Sequence, residues 1–173
     1  LACAIALTLG LGLAACGKSD APASGAATPA VPAGPTEAEK ALAAAAEKQA
    51  AALAALSPEE LKQRGSQALR EQRLYAPAGD NAMEYYLALR KQSAKPDASA
   101  ESALMDLQPY AVIAAEQALG REDWVEAERL RKLIEAADPN APALPRIASA
   151  IETGKTNAAK READAAALAE SQA

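Results

Sequence analysis

The sequence contains no histidine and no phenylalanine, and aromatic residues make up only 3% of its 173 residues. Its two cysteines, Cys3 and Cys16, both lie near the start. Because imidazole is absent and no cluster of thiolates can form, a zinc or transition-metal site is not expected. A Ser-His-Asp or Cys-His catalytic arrangement cannot form within this chain. We therefore expect no enzyme activity, no catalytic residue, no metal site and no cofactor.

Basic residues are also outnumbered, which leaves a net charge of -5. Phosphate binding needs a basic surface, so nucleic acid is not expected as a partner. Alanine, the best helix former, supplies 50 residues, while strand-forming residues are scarce. Each alanine side chain buries little apolar area. The composition therefore predicts an all-α protein with a thin core.

Residues 1–15, LACAIALTLGLGLAA, are apolar or small and carry no charge. They are shorter than the roughly 20 residues that span a bilayer, and their length is typical of a signal peptide. The stretch Leu13-Ala14-Ala15-Cys16 resembles the bacterial lipobox, which implies that Cys16 is acylated and becomes the first mature residue. Gly17, rather than aspartate, follows it, which by the same resemblance favours the outer membrane over the inner membrane. The alternatives are an uncleaved anchor and an ordinary signal peptide with an incidental cysteine.

After Cys16 the sequence continues to residue 35 with small residues interrupted by four prolines. This composition predicts a disordered tether that lifts a folded domain off the membrane. A proline-rich ligand motif is the alternative, but no basic residue flanks the prolines.

Helix starts are indicated by capping patterns, in which a side-chain oxygen accepts from an early backbone N–H group. Thr36, Ser57 and Asp123 begin such patterns, and Asp80 or Asn81 and Ser99 are further candidates. A last short helix is predicted after Pro145, and Gly154 is expected to interrupt it. Pro109 is expected to kink the predicted helix 100–119. The other predicted helices cover residues 37–56, 58–74, 82–94, 100–119 and 124–137. The predicted domains are a signal peptide (1–15), the lipidated tether (16–35), an alanine-rich helix (36–56), a helical domain (57–153) and a helical spacer (154–173).

Two stretches share a layout of small and large apolar residues. The first contains Gly65-x-x-Ala68-Leu69, a turn and Ala82-x-x-x-Tyr86-x-x-Leu89, and the second runs from Ala114 to Pro139. A small residue on each helix allows close approach, and a large one fills the neighbouring groove. Over residues 58–140 this layout resembles the tetratricopeptide helix-turn-helix repeat, with an insertion from Leu74 to Asp80 in the first unit. It implies five or six helices in all.

Longer strings carry a second resemblance. RLYAPAGDNAMEYYLALR at 73–90, and the segment from DLQPYAVIAAEQAL to DPNAPALPRI at 106–147, are similar to the N-terminal region of TonB-type energy transducers. The resemblance implies an anchor, an alanine-rich helical region and then a small C-terminal domain that contacts outer-membrane transporters. The sequence starts with Leu1 and stops inside a helical pattern. We therefore expect it to be a fragment of a longer protein, truncated at both ends, in which the small C-terminal domain is absent.

The loop around Pro77 and Gly79 is the most distinctive local feature. Functional loops often sit on rigid scaffolds, so its polar and aromatic residues are candidates for partner binding. The alternative is that Asp80 or Asn81 caps the following helix and that the tyrosines pack on the repeat. The candidate partner-binding residues are Arg73, Tyr75, Asp80 and Asn81 in this loop, and Tyr85 in the predicted helix that follows, which could stack on a peptide or glycan.

The sequence suggests three candidate functions. The leading hypothesis is a periplasmic lipoprotein whose helical repeat binds envelope or outer-membrane transport proteins, as in the N-terminal part of a TonB-type transducer. The second is a structural envelope lipoprotein that acts as a spacer or self-associates. The third, a cell-wall hydrolase that uses carboxylates, is disfavoured because no acidic pair is suitably placed for general acid–base catalysis.

Overall fold

The regular structure between residues 37 and 172, the part of the chain that the computed structural model describes, is entirely α-helical. The all-α prediction is therefore confirmed for this range. The signal peptide, Cys16 and the tether lie outside the described residues. The helices are α1 (Glu37–Ala54), α2 (Pro58–Arg70), α3 (Ala82–Gln92), α4 (Ala98–Gly120), α5 (Trp124–Ala137) and α6 (Leu144–Ser171).

Helices α2 to α5 each begin at a side chain that accepts hydrogen bonds from the first backbone N–H groups of the helix. Ser57 and Glu60 form the predicted capping box at α2, with the Ser57 N–H donating to the Glu60 carboxylate over 2.9 Å. Asn81 and Asp123 cap α3 and α5. The cap predicted at Ser99 was wrong: Asp97 caps α4, because its carboxylate accepts from two backbone N–H groups and starts the helix earlier.

Helices α2 and α4 end in the same way, which supports the repeat layout. Gln72 and Glu122 adopt left-handed backbone conformations, with φ of 61° and 58°. In both cases the N–H group of the next residue donates to a carbonyl in the last turn of the helix. Arg73 donates to the Ala68 carbonyl and Asp123 to the Ala118 carbonyl, each over 2.9 Å. This hydrogen-bond pattern is the Schellman ending. The predicted helix to residue 74 therefore stops four residues early, at Arg70.

The packing of the helices is that of a stacked helical repeat. Each helix from α2 to α6 packs against the next one, and helices two apart also touch: α1 with α3, α3 with α5, and α4 with α6. Such nearest-neighbour contacts are characteristic of helical solenoids. Helix α4 continues through Pro109 without a break. The largest fully buried apolar side chains are Leu61, Met83, Leu104, Leu130, Ile134, Ile147 and Ile151.

Two glycines let large aromatic rings lie directly on a helix backbone. A β-carbon at Gly65 would lie 2.7 Å from the Tyr86 ring, and one at Gly154 would lie 2.2 Å from the Trp124 ring. The prediction that Gly154 interrupts the last helix was wrong. Helix α6 runs unbroken for 28 residues, and Gly154 is the place where Trp124 of α5 contacts it.

The alanine-rich ends of the described region have little packing. Leu53 of α1 and Leu56, just after its end, are partly buried against the core, while most of the alanines of α1 are exposed. Every residue from 159 to 172 is exposed, although the helix continues there. Within the described residues, no helix has both the length and the apolar character needed to cross a membrane.

We expect Gly65→Ala and Gly154→Ala each to lower the free energy of unfolding by about 1–3 kcal/mol, because the added methyl group overpacks an aromatic contact. In G154A the emission of Trp124, the only tryptophan, should also shift to the red. Denaturant unfolding followed by fluorescence measures both effects.

Gly120→Ala is the matched control. No atom lies within 4 Å of a β-carbon at Gly120, so this substitution should be neutral or stabilise by up to about 1 kcal/mol. Equal effects of all three substitutions would contradict the proposed role of the aromatic contacts.

Candidate interaction surfaces

A polar cleft lies between the outer face of α2 and the segment 71–81, which joins α2 to α3. Its volume is about 330 Å³. Three of the five residues predicted to bind partners line it, together with side chains spaced three and four residues apart on α2. The lining residues are Glu60, Gln63, Arg64, Gln67, Arg73, Asp80 and Tyr85.

Asp80 holds the predicted cleft residues together. Its carboxylate accepts hydrogen bonds from the Arg73 guanidinium at 2.5 Å and from the Tyr85 hydroxyl at 2.6 Å. Tyr85 is only 4% exposed, so most of its ring is not available to a ligand. Burial, together with the hydrogen bond to Asp80, raises the pKa of Tyr85, which keeps the phenol neutral and able to donate.

The other two predicted residues have structural roles. Asn81 is completely buried: its amide donates to the Pro77 carbonyl over 2.8 Å, and its oxygen caps α3. Direct partner binding by Asn81 is therefore incompatible with its burial. Tyr75 is partly buried and packs against the core. For these two residues the structure agrees with the alternative of capping and packing.

A partly buried ion pair fastens the segment 71–81 to α5. Glu84 accepts from the Gly79 N–H and pairs with Arg129 at 3.3 Å. Arg129 also donates to the Tyr75 carbonyl over 2.9 Å and pairs with Glu126. The side chains of Glu84 and Arg129 are 17% and 22% exposed, so solvent screens the pair little. The segment is thus fixed at both ends and in its middle.

The charges within the cleft cancel. Glu60 and Asp80 are balanced by Arg64 and Arg73, and two glutamine amides and a phenol supply neutral hydrogen-bonding groups. Such a lining can both donate to and accept from a neutral polar ligand such as a peptide backbone. In the range 37–172, no three histidine, cysteine, aspartate or glutamate residues are grouped to hold a metal ion.

A second concave surface, missed by the sequence analysis, is an open groove between α2 and α4. Its volume is about 520 Å³. Besides its buried apolar residues, α4 carries a second, exposed apolar set that includes Tyr110 and Ile113. The presence of two apolar stripes on one helix is the feature of the sequence that could have revealed this groove. The groove is lined by Leu69, Gln72, Leu74, Ser99, Ser102, Ala103, Asp106, Leu107 and Tyr110.

An ion pair joins the starts of α2 and α4. Lys62 donates to the Asp97 carboxylate over 2.8 Å. The hydrogen bond from Lys62, followed by those from Ser99 and Ala100, lowers the pKa of Asp97 well below its usual range. The same carboxylate therefore caps α4 and connects the two helices.

Comparison of this chain with family models, with curated proteins and with solved structures found no match.

We expect Arg129→Gln to lower the free energy of unfolding by about 1–3 kcal/mol near pH 7, because it leaves the buried Glu84 carboxylate without its partner. Burial raises the pKa of Glu84. Protonation of Glu84 thus favours the folded state below the unfolded-state pKa, and this contribution is lost as the pH rises through the folded-state pKa. The cost of R129Q should accordingly shrink near pH 4. Urea unfolding at both pH values, with amide hydrogen exchange of residues 74–83, measures this.

Arg131→Gln is the matched control, because Arg131 is 20% exposed and pairs only within α5. It should leave exchange in residues 74–83 unchanged. Faster exchange in R131Q, or no pH dependence in R129Q, would contradict the role of the Glu84–Arg129 pair.

We expect Asp97→Asn to lower the melting temperature near pH 7, with the deficit disappearing on strong acidification. The lowered pKa of Asp97 means that its contribution to stability is present above the unfolded-state value of about 3.9 and is lost as the pH falls through the folded-state value. Asparagine also caps helices, so the change mainly removes the ion pair with Lys62. Thermal melts from pH 7 to pH 2.5 test this, and a deficit independent of pH would contradict it.

Proposed function

We propose that this protein is a non-enzymatic, membrane-tethered interaction module on the periplasmic side of a bacterial membrane. A lipid on Cys16 anchors it, the outer membrane being favoured, and the helical repeat holds a partner protein at the polar cleft. The partner is an envelope or outer-membrane transport protein, and the module belongs to a TonB-type energy transducer. The lipobox and the strings at 73–90 and 106–147 support the anchor and the transducer parts of this proposal.

The observation that carries the proposal is the way in which the insertion is held. Segment 71–81 is longer than the direct link between the equivalent helices α4 and α5, yet it is fixed by the Asn81, Glu84 and Arg129 hydrogen bonds. Binding sites gain affinity when their groups are held in place before the partner arrives. Arg73 and Asp80 are held in this way, and their side chains keep 25% and 54% exposure.

The Asp80 geometry favours recognition rather than catalysis. The Asp80 carboxylate already accepts from Arg73 and Tyr85, so it is a fixed hydrogen-bond acceptor at the edge of the cleft. Gln63 on the facing side is exposed and can exchange hydrogen bonds with a peptide. An extended backbone segment, which carries both donors and acceptors, suits a cleft lined by both kinds of group.

A structural, self-associating lipoprotein is the second candidate. It is supported by α1 and by the final turns of α6, whose alanine-rich surfaces are exposed along their length. In this case copies of the chain would meet through these helices rather than at the cleft.

The test is site-specific photo-crosslinking in bacteria that make the full-length lipoprotein. We expect a crosslinking amino acid at Gln63 to give an adduct in the envelope fraction, with a defined transport protein identified by mass spectrometry. Arg73→Ala and Asp80→Ala should reduce that adduct severalfold. An acyl mass on Cys16, and release from the membrane by Cys16→Ser, test the anchor.

The same crosslinker at Ala159, on the exposed part of α6, is the control. Adducts between copies at Ala159, with none at Gln63, would favour the self-associating alternative. An adduct at Gln63 that Arg73→Ala and Asp80→Ala leave unchanged would contradict binding at the cleft. Absence of the acyl mass on Cys16 would contradict the lipid anchor.

A further inference from the structure

The groove between α2 and α4 has an apolar floor and an open side. Leu69, Leu74 and Leu107 form the floor, and Tyr110 stands at its edge with 54% of its surface exposed. Ile113, which is 52% exposed, follows Tyr110 by three residues and extends the apolar surface along α4. An exposed apolar surface of this kind beside a groove is typical of a docking site.

Among residues 37–172, Asp106 is the only one with a charged side chain that lines this groove. The other acidic residues of α4 have ion-pair partners, Glu101 with Arg90 and Glu116 with Arg146. Asp106 is exposed and has no ion pair within the described residues. An acidic group set among leucines and a tyrosine favours a ligand with a positive charge next to an apolar group.

The remaining polar lining favours a polypeptide ligand. Ser99, Ser102 and Gln72 place hydroxyl and amide groups along the walls, where they can bond to a peptide backbone. The lining follows α4 from Ser99 to Tyr110, so the groove suits an elongated ligand.

We propose that the groove between α2 and α4 binds a peptide segment in which an apolar side chain is flanked by lysine or arginine. The apolar side chain rests on Leu69, Leu74 and Leu107 beside Tyr110, and the basic side chain pairs with Asp106. This surface is distinct from the polar cleft, so peptide binding in the groove does not depend on the proposed function.

The test is fluorescence anisotropy of short labelled peptides titrated with the full chain. One peptide alternates leucine with lysine, and its twin alternates leucine with glutamine. We expect the lysine peptide to bind roughly fivefold more tightly, the size of effect that one partly exposed ion pair gives. Asp106→Asn should bring the two affinities together, and Tyr110→Ala should weaken both by about tenfold or more.

Two control variants separate the groove from general surface effects. Glu162→Gln removes one charge from the exposed end of α6, and Val125→Ala shortens an apolar side chain that is 54% exposed, as Tyr110 is. Both should bind like the wild type, with unchanged helicity by circular dichroism. Equal affinity of the two peptides for the wild type, or the same loss in E162Q as in D106N, would overturn the charge selectivity. Self-association that is lost in Y110A would overturn the peptide partner in favour of a second copy of the chain.

Discussion

Close approach of helices through glycine and alanine is the constraint on which this structure depends. A chain with 50 alanines and few aromatic residues cannot fill a wide core, since each alanine side chain removes little surface from water. In this fold, two of the five aromatic rings pack directly on glycines of a neighbouring helix. Tyr86 covers Gly65 between α2 and α3, and Trp124 covers Gly154 between α5 and α6. The thin core predicted from composition is therefore stabilised by a small number of specific contacts.

The insertion between α2 and α3 shows how such a scaffold can carry a polar surface. Because α2 and α4 end with equivalent hydrogen bonds, the extra residues leave the repeat itself unchanged. The insertion then relies on polar anchors rather than on apolar burial: a buried asparagine at its end and the Glu84–Arg129 pair beneath it. Buried polar groups of this kind are stable only when every donor and acceptor is paired. Here no buried side-chain nitrogen or oxygen atom among the described residues lacks a hydrogen-bond partner.

Local features could be predicted from the sequence, and tertiary ones could not. The capping box at Ser57 and the cap at Asp123 depend on residues three apart, so the starts of α2 and α5 were predicted correctly. Gly154 was misjudged because helix propensity is local, whereas the ring that packs on it belongs to another helix. Arg73 and Asp80 were selected from one loop and Tyr85 from the helix after it, and all three line one cleft, but the burial of Asn81 depends on how that loop folds back. The groove was missed because apolar periodicity cannot distinguish a buried stripe of α4 from an exposed one.

The unbroken course of α6 has a mechanical consequence. At about 1.5 Å of rise per residue, its 28 residues form a rod about 42 Å long, whose second half is exposed and is linked to the end of α4 by the ion pair between Arg161 and Glu122. A glycine in the middle of such a rod would ordinarily be a point of bending, but here the indole of Trp124 braces it from the side. A force or torque applied to the C-terminal end of α6 would therefore be transmitted to α5 and the repeat, because the helix does not bend at Gly154.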